Sequence, residues 1–197
     1  LAAVSRTQYY CAASLDGYIA DRDDGLDWLL SYEGEFGDER AEPGPMGEGG
    51  AYERFYDGVG ALISGSTTYE FVLDQLSGGS EWPYKGKPYW VLSSRELPVP
   101  DTAGADVRIA NAEVADLHGE MIRAAGGRNL WIVGGGNVAS QFASEGLLDE
   151  LLVTVVPVVL GRGKPLFDDR LPLGALQLQG MRAFSSGMVE LRYEIRA

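Results

Sequence analysis

The chain switches repeatedly between short β-branched or apolar runs and stretches with helical spacing. Residues 6–13 (Arg-Thr-Gln-Tyr-Tyr-Cys-Ala-Ala) read as a buried first strand, closed by the turn signal Ser14-Leu15-Asp16-Gly17. Ala61 to Ser64 is a second strand, running through Gly65 into a helix opened by Ser66-Thr67-Thr68. Thr67 with Glu70 three residues on predicts a capping box there. Pro88–Leu92 is a strand ending in Ser93-Ser94-Arg95, and Val107–Ala110 is the next. Asn111 is expected to cap a helix that runs to about Ala125, with Val114, Leu117, Met121 and Ile122 on one face. Leu130–Val133 is a buried strand delivered straight into Gly134-Gly135-Gly136. A helix over Asn137–Glu145 follows, stopped by Gly146. Glu150–Val156 is strongly apolar, and Leu176–Phe184 with Met188–Ile195 reads as a hairpin turning at Ser185-Ser186-Gly187. Strands alternating with helices and closed by a hairpin predict an α/β fold in one domain over 1–197. Its central sheet is mostly parallel, with an antiparallel C-terminal edge and flanking helices.

Residues 21–50 break this rhythm. They are acidic and rich in glycine and proline, with room for a short helix around Leu26–Tyr32. A connection this long reads as a lid over a site. A further short helix is expected from Tyr52 to Asp57.

Composition narrows the function. Among 197 residues 45% are apolar and 23% charged, which is ordinary for a globular protein. No apolar run approaches the ~20 residues of a membrane helix, and no signal-peptide order is visible. One cysteine, Cys11, and one histidine, His118, exclude an internal disulfide and argue against a Cys/His zinc site, so no metal is expected. A reducing cytosol is the expected compartment. The formal net charge of −13 argues against a nucleic-acid partner. The apolar Leu151–Leu160 stretch is a candidate interface for a homodimer.

Three turns carry candidate chemistry. In Val133-Gly134-Gly135-Gly136-Asn137-Val138 a strand hands three glycines to a helix start, where free N–H groups and the helix dipole favour an anion. The spacing is not the G-x-G-x-x-G fingerprint, since Ser140 stands where the third glycine would be. Gly65-Ser66-Thr67-Thr68 repeats the strand–glycine–helix arrangement. Leu92-Ser93-Ser94-Arg95 places two hydroxyls and a guanidinium where a phosphate monoester can bind. Three anion-binding turns at successive strand ends suit a ligand lying in the crevice of an open α/β sheet. Of the four tryptophans, Trp82, Trp90 and Trp131 read as core, and Trp28 as the one placed to stack on a ligand. His118 reads as surface or structural. Asp21-Arg22-Asp23-Asp24 reads as a solvated loop without EF-hand spacing.

In this order the segments carry a family resemblance. Ala13-Ser14-Leu15-Asp16-Gly17-Tyr18-Ile19-Ala20 resembles the start of the reductase domain of the riboflavin-biosynthesis deaminase/reductase. The Gly65–Glu70, Leu92–Arg95 and Val133–Gly136 turns resemble those of dihydrofolate reductases and their wider superfamily. Gly146–Leu151 and Pro157–Phe167 resemble the same family's closing half. The resemblance implies a three-layer dihydrofolate-reductase-like fold, a reductase activity and NADPH as cofactor. It implies that Gly134–Gly136, with Val133, Asn137 and Val138, hold the pyrophosphate, and that Leu92, Ser93, Ser94 and Arg95 lie by the adenosine 2′-phosphate. Gly65 to Thr68 would clamp phosphate and ribose, and Ala13 with Ser14–Ala20 would flank the nicotinamide. It implies a cis peptide at Gly134-Gly135, a bond that costs ~3–4 kcal/mol outside proline. The zinc signature of the deaminase half is absent. The Pro-Trp context of the dihydrofolate reductase acid is replaced by Gly25-Leu26-Asp27-Trp28-Leu29. Asp27 and Asp16 are therefore the candidates for a proton donor, and Asp16 reads first as a turn residue. Asp16, Gly17, Trp28 and Arg162 are the expected substrate pocket, with Arg162 and Lys164 the basic groups for a small-molecule substrate anion.

Overall fold

The computed structural model describes residues 5–32, 51–79 and 81–196. In chain order the elements are β1 (Thr7–Ser14), β2 (Tyr18–Ala20), α1 (Asp27–Leu30), α2 (Ala51–Asp57), β3 (Val59–Gly65), α3 (Ser66–Ser77), β4 (Pro88–Leu92) and β5 (Asp106–Ala110). They continue with α4 (Val114–Ala124), β6 (Asn129–Gly134), α5 (Gly136–Ser144), β7 (Glu150–Val156), β8 (Lys164–Pro165), β9 (Leu176–Ala183) and β10 (Val189–Ile195). Eight strands form one sheet in the order β5-β4-β3-β6-β1-β7-β10-β9. The first six run parallel, and β10 pairs antiparallel with both β7 and β9. This is the expected α/β architecture with its antiparallel edge. A second sheet, missed by the sequence reading, pairs β2 antiparallel with β8. Both strands are too short to show a period.

Strand alternation sorts the core onto two faces. Tyr9, Ala61, Ile63, Trp90, Leu130 and Ile132 point to one face, where they pack with Met121 of α4 and Phe142 of α5. Tyr10, Leu62, Tyr89, Val91 and Trp131 point to the other, beneath Phe55 of α2 and Tyr69 and Val72 of α3. Trp82, Trp90 and Trp131 are core, as read. His118 is structural, its Nε2 lying 2.9 Å from the Thr7 hydroxyl.

Several local expectations need correction. The α3 N-cap is Gly65 with no side-chain cap, and Glu70 reaches Arg95 instead of closing a capping box with Thr67. The α4 N-cap is Glu113, two residues after Asn111, because Val114 is the first residue the core can bury. Around Leu26–Tyr32 only Asp27–Leu30 is helical. No cis peptide bond occurs among the described residues. The turn at Gly134-Gly135 is made instead by Gly135 in the left-handed region, at φ +96°. Of the Leu151–Leu160 stretch, the part up to Val156 is interior: β7 lies inside the sheet between β1 and β10, with six of its seven residues buried, while Pro157 and Val159 are exposed in the loop after it. Of the proposed lid, residues 33–50 lie outside the described residues. In the part that is described, the Asp21 carboxylate accepts from the N–H groups of Asp23 (2.9 Å) and Gly25 (2.7 Å).

Candidate cofactor-binding site

The sheet has its switch point between β3 and β6. From β3 the chain leaves through α3 on one face toward β4; from β6 it leaves through α5 on the other face toward β7. Right-handed crossovers running in opposite directions open a crevice at the C-terminal ends of this strand pair. The two glycine turns lie there. Ser64 is in register with Gly134. A Cβ on Gly134 would stand 2.8 Å from Thr68 Oγ1, and one on Gly65 would stand 3.4 Å from Val138 Cγ2. A Cβ on Gly136 would overlap the Pro165 carbonyl oxygen. At Gly135 a Cβ would meet nothing closer than 3.6 Å, so it would point into the space a ligand needs. Neither helix has a side-chain cap or an acidic residue in its first turn. Two sets of free helix N–H groups thus face one crevice in a polyanionic protein. That arrangement fits the pyrophosphate of a dinucleotide.

One strand further out, β4 ends at Leu92. The Ser93 N–H bonds the Ala110 carbonyl (2.9 Å), and the Ser93 hydroxyl accepts from the Arg95 N–H (3.0 Å). Ser94 is exposed beside it. Arg95 lays both terminal nitrogens on the Glu70 carboxylate at 3.0 and 2.9 Å. This bidentate pair holds the guanidinium against the outer side of α3, with more than half of its side chain still in water. The three turns named from the sequence therefore come together on neighbouring strands β4, β3 and β6. Asn137 turns away from this group: it is exposed, and its Oδ1 accepts from Gln141 (2.8 Å). It borders a separate cavity of about 140 Å³ whose lining includes Glu113, Glu145 and Asp169. That space is too small and too acidic for a dinucleotide.

On the other side of β6, Ala13 is buried at the end of β1. Beyond it the turn is clasped by Asp16. Its carboxylate accepts from the Ser14 hydroxyl (2.7 Å) and from the N–H groups of Leu160 (3.1 Å) and Gly161 (2.7 Å). These bonds, the Ser14 hydroxyl first, hold its pKa below the usual carboxylate value. Asp16 thus ties the β1–β2 turn, where Gly17 takes φ +88°, to the loop after β7 that carries the exposed Arg162. Asp27 is exposed at the start of α1. Trp28 packs on the cluster of Val156, Phe184 and Met188, with Ala12 alongside. Its indole N–H is buried without an acceptor among the described residues. Between this cluster and the α2 face lies a polar group absent from the sequence reading. Tyr10 donates to Glu190 Oε2 at 2.8 Å, and Thr154, in register with both Ala12 and Glu190, bonds the same phenol. Burial, then the neighbouring Glu190, raises the Tyr10 pKa well above its ordinary value. The one signal for this group was a lone threonine inside the apolar run Glu150–Val156.

The RibD C-terminal domain family matches residues 7–190. The chain belongs to this family. The RibD C-terminal match spans β1 through the start of β10, so it includes all three turns and the Asp16 clasp. Over 188 residues the chain is 34% identical to the uncharacterized protein YwjB of Bacillus subtilis, covering 95% of this chain and 97% of that one. A solved structure from Shewanella sp. PV-4, provisionally assigned to riboflavin biosynthesis, is 29% identical and superposes with a TM-score of 0.75, covering 98% of this chain and 99% of that one. The fold is also that of Enterococcus faecalis dihydrofolate reductase, at a TM-score of 0.58 and 15% identity over the whole of both chains. The dihydrofolate-reductase-like fold implied by the sequence motifs is thereby established.

Proposed function

We propose that this chain is an NADPH-dependent reductase that passes a hydride to a small pterin- or pyrimidinone-like heterocycle or to a carbonyl substrate. The observation that carries this reading is the pair of uncapped, acid-free helix starts meeting at the β3–β6 crevice. The pyrophosphate would take the N–H groups around Gly135 and Gly136 and those at Ser66 to Thr68. Arg95, with Ser93 and Ser94, would meet the 2′-phosphate. Ala13 and the clasped Ser14–Gly17 turn would set the floor for the nicotinamide, which supplies the hydride when bound. The substrate would lie beside Ala12, under Trp28, with Arg162 at the rim. Of the nearby carboxylates, Asp16 is consumed by its turn and Asp27 is exposed. Glu190, held by Tyr10, is the acid this face presents.

The test is a titration of tryptophan fluorescence with NADPH and, in parallel, with NADH. NADPH is expected to bind markedly more tightly. Arg95→Ala should weaken NADPH about 10-fold, the loss of one charge-assisted contact, and leave NADH unchanged. Glu70→Gln removes the carboxylate that competes for the same guanidinium and should tighten NADPH a few-fold. Absence of binding by either cofactor, checked by calorimetry, would remove the reading. The occupied Asp16 and exposed Asp27 favour a second one, a binding protein that keeps the reductase fold. Steady NADPH oxidation with any folate, pterin or pyrimidinone would rule that out.

A further inference from the structure

A row of side chains crosses three strands on the sheet face that α2 packs against. β1 contributes Ala12, β7 Thr154 and β10 Glu190, each in register with the next. Ala12 carries only a methyl group; the other two end in oxygen. Tyr10, two residues before Ala12 on β1, reaches across to the same carboxylate. Its phenol donates to Glu190 Oε2 at 2.8 Å and bonds Thr154. Tyr10 and Thr154 are buried, while Glu190 is half-buried. Apolar residues flank the group on both sides. Ala12 packs with Trp28, Val156 and Met188, and the Phe55 ring stands edge-on to Tyr10 at 4.6 Å. Apolar side chains of the same shape would be as stable here or more so, so stability alone does not explain a carboxylate, a phenol and a hydroxyl at this place.

We propose that Glu190 is the proton donor to the hydride acceptor, with Tyr10 and Thr154 positioning its carboxyl group. This rests on the reductase reading above. Ser14 ends β1 two residues beyond Ala12, so the row lies about 7 Å inside the turn assigned to the nicotinamide, within the length of a two-ring heterocycle. When the carbon of a C=N or C=O group takes hydride, with its electron pair, from the C4–H bond of the nicotinamide, the π pair moves onto the nitrogen or oxygen. That atom then takes the proton of the Glu190 carboxyl group and leaves a carboxylate, which the Tyr10 hydroxyl stabilises. The other described carboxylates on this side are occupied or turned to water. Asp16 is held by its turn, Asp24 pairs with Lys164, and Asp27, Glu53 and Asp57 are exposed. Tyr10 is the titratable group facing Glu190 from β1. Arg182 is in register with it on β9, with its guanidinium over the Phe184 ring, and Arg192, two residues along β10, bonds Glu150. From α2 and α1 the neighbours are Phe55 and Trp28.

Proton uptake tests this without the cofactor. Carboxyl groups are ionised at neutral pH, so the donor must gain a proton as the acceptor binds. Calorimetric titration of the cofactor-free protein with dihydrobiopterin, in two buffers of different ionisation heat, should show about one proton taken up per molecule bound. Glu190→Gln should take up none. No binding, no uptake by the wild type, or equal uptake in the variant overturns the proposal. With NADPH present, kcat for dihydrobiopterin should fall about 100-fold in Glu190→Gln, and its decline with rising pH should disappear, at unchanged NADPH affinity. Glu194→Gln, further along the same strand, should match the wild type. Tyr10→Phe should move the decline to higher pH, because the phenol favours the charged carboxylate; a purely structural tyrosine would leave the profile in place. Should Glu190→Gln fail to fold, Glu190→Asp decides. Its shortened acid should keep the uptake and lose about 10-fold or more in kcat, and a wild-type kcat overturns the proposal. Failure of NADPH to bind removes the reductase reading itself. NADPH bound and oxidised by Glu190→Gln with the wild-type kcat and pH profile removes only the assignment of Glu190.

Discussion

Gly135→Ala should weaken NADPH binding about 100-fold while leaving the protein folded, because two or more charge-assisted N–H contacts are lost together. Gly135 holds φ +96° between β6 and α5. A Cβ there meets no protein atom within 3.5 Å, so the substitution does not clash. With φ +96° and ψ +109° it costs the ~1–3 kcal/mol of a non-glycine residue in a sparsely populated backbone region and puts a methyl group where the pyrophosphate must approach the N–H groups of α5. Gly146 separates the two costs. It has φ +67° just beyond the other end of α5, with open space around its Cβ. Gly146→Ala should lower the melting temperature by a similar amount and bind NADPH like the wild type. Calorimetric titration of both variants, alongside their melts, checks this. Equal cofactor affinity in Gly135→Ala and Gly146→Ala would place the dinucleotide elsewhere.

The same glycines show what was legible in the sequence. Strands, helices and the three turns could be read because each depends on local chemistry: an unbroken apolar run for Leu130–Val133, a stop at Gly146, hydroxyls and a guanidinium after Leu92. The resemblance then supplied the fold and the order of the turns. What could not be read was register. Whether Thr67 or Arg95 would engage Glu70 depends on how far β4 extends beside α3, which no window of ten residues contains. Tyr10, Thr154 and Glu190 are 144 and 36 residues apart in sequence, and they meet only because β7 lies between β1 and β10. The same insertion makes the apolar Glu150–Val156 run an interior strand. An apolar run reports burial but not what buries it. In β7 the cover is the core packed on both faces of the sheet; in β9 Leu178 and Met181 stay exposed although the strand is apolar on that face.

The largest stability effect is expected at Glu150. Its carboxylate is 2% exposed at the N-terminal end of β7, the end of the sheet away from the crevice. It accepts from Gln8 Nε2 at 2.6 Å and from Arg192 at 2.8 Å, and it is paired with Arg6 as well. Burial alone would raise its pKa. The bonds from Gln8 and Arg192, with the charges of Arg192 and Arg6, outweigh burial and bring it below the ordinary carboxylate value. Glu150→Ala leaves two guanidiniums and a buried amide without their common acceptor. Breaking such a pair costs ~3 kcal/mol, the low end of its range, because Arg6 and Arg192 keep 47% and 36% of their side chains in water. For a chain of this size the melting temperature should fall by roughly 6–12 °C. Glu150→Gln keeps the shape but removes the charge, and its pH dependence is the sharper check. A carboxylate whose folded pKa is depressed stabilises the fold above its unfolded pKa of ~4.3, and that contribution is lost as pH falls through the folded value. The wild type should therefore exceed Glu150→Gln in stability by its full margin above about pH 5 and approach it as acid protonates the site. A margin unchanged from neutral pH down to about pH 3 would mean that the glutamate acts by packing and hydrogen-bond shape, not by charge. NADPH affinity should be the same in both proteins, since the carboxylate and the cofactor crevice lie at opposite ends of the parallel strands.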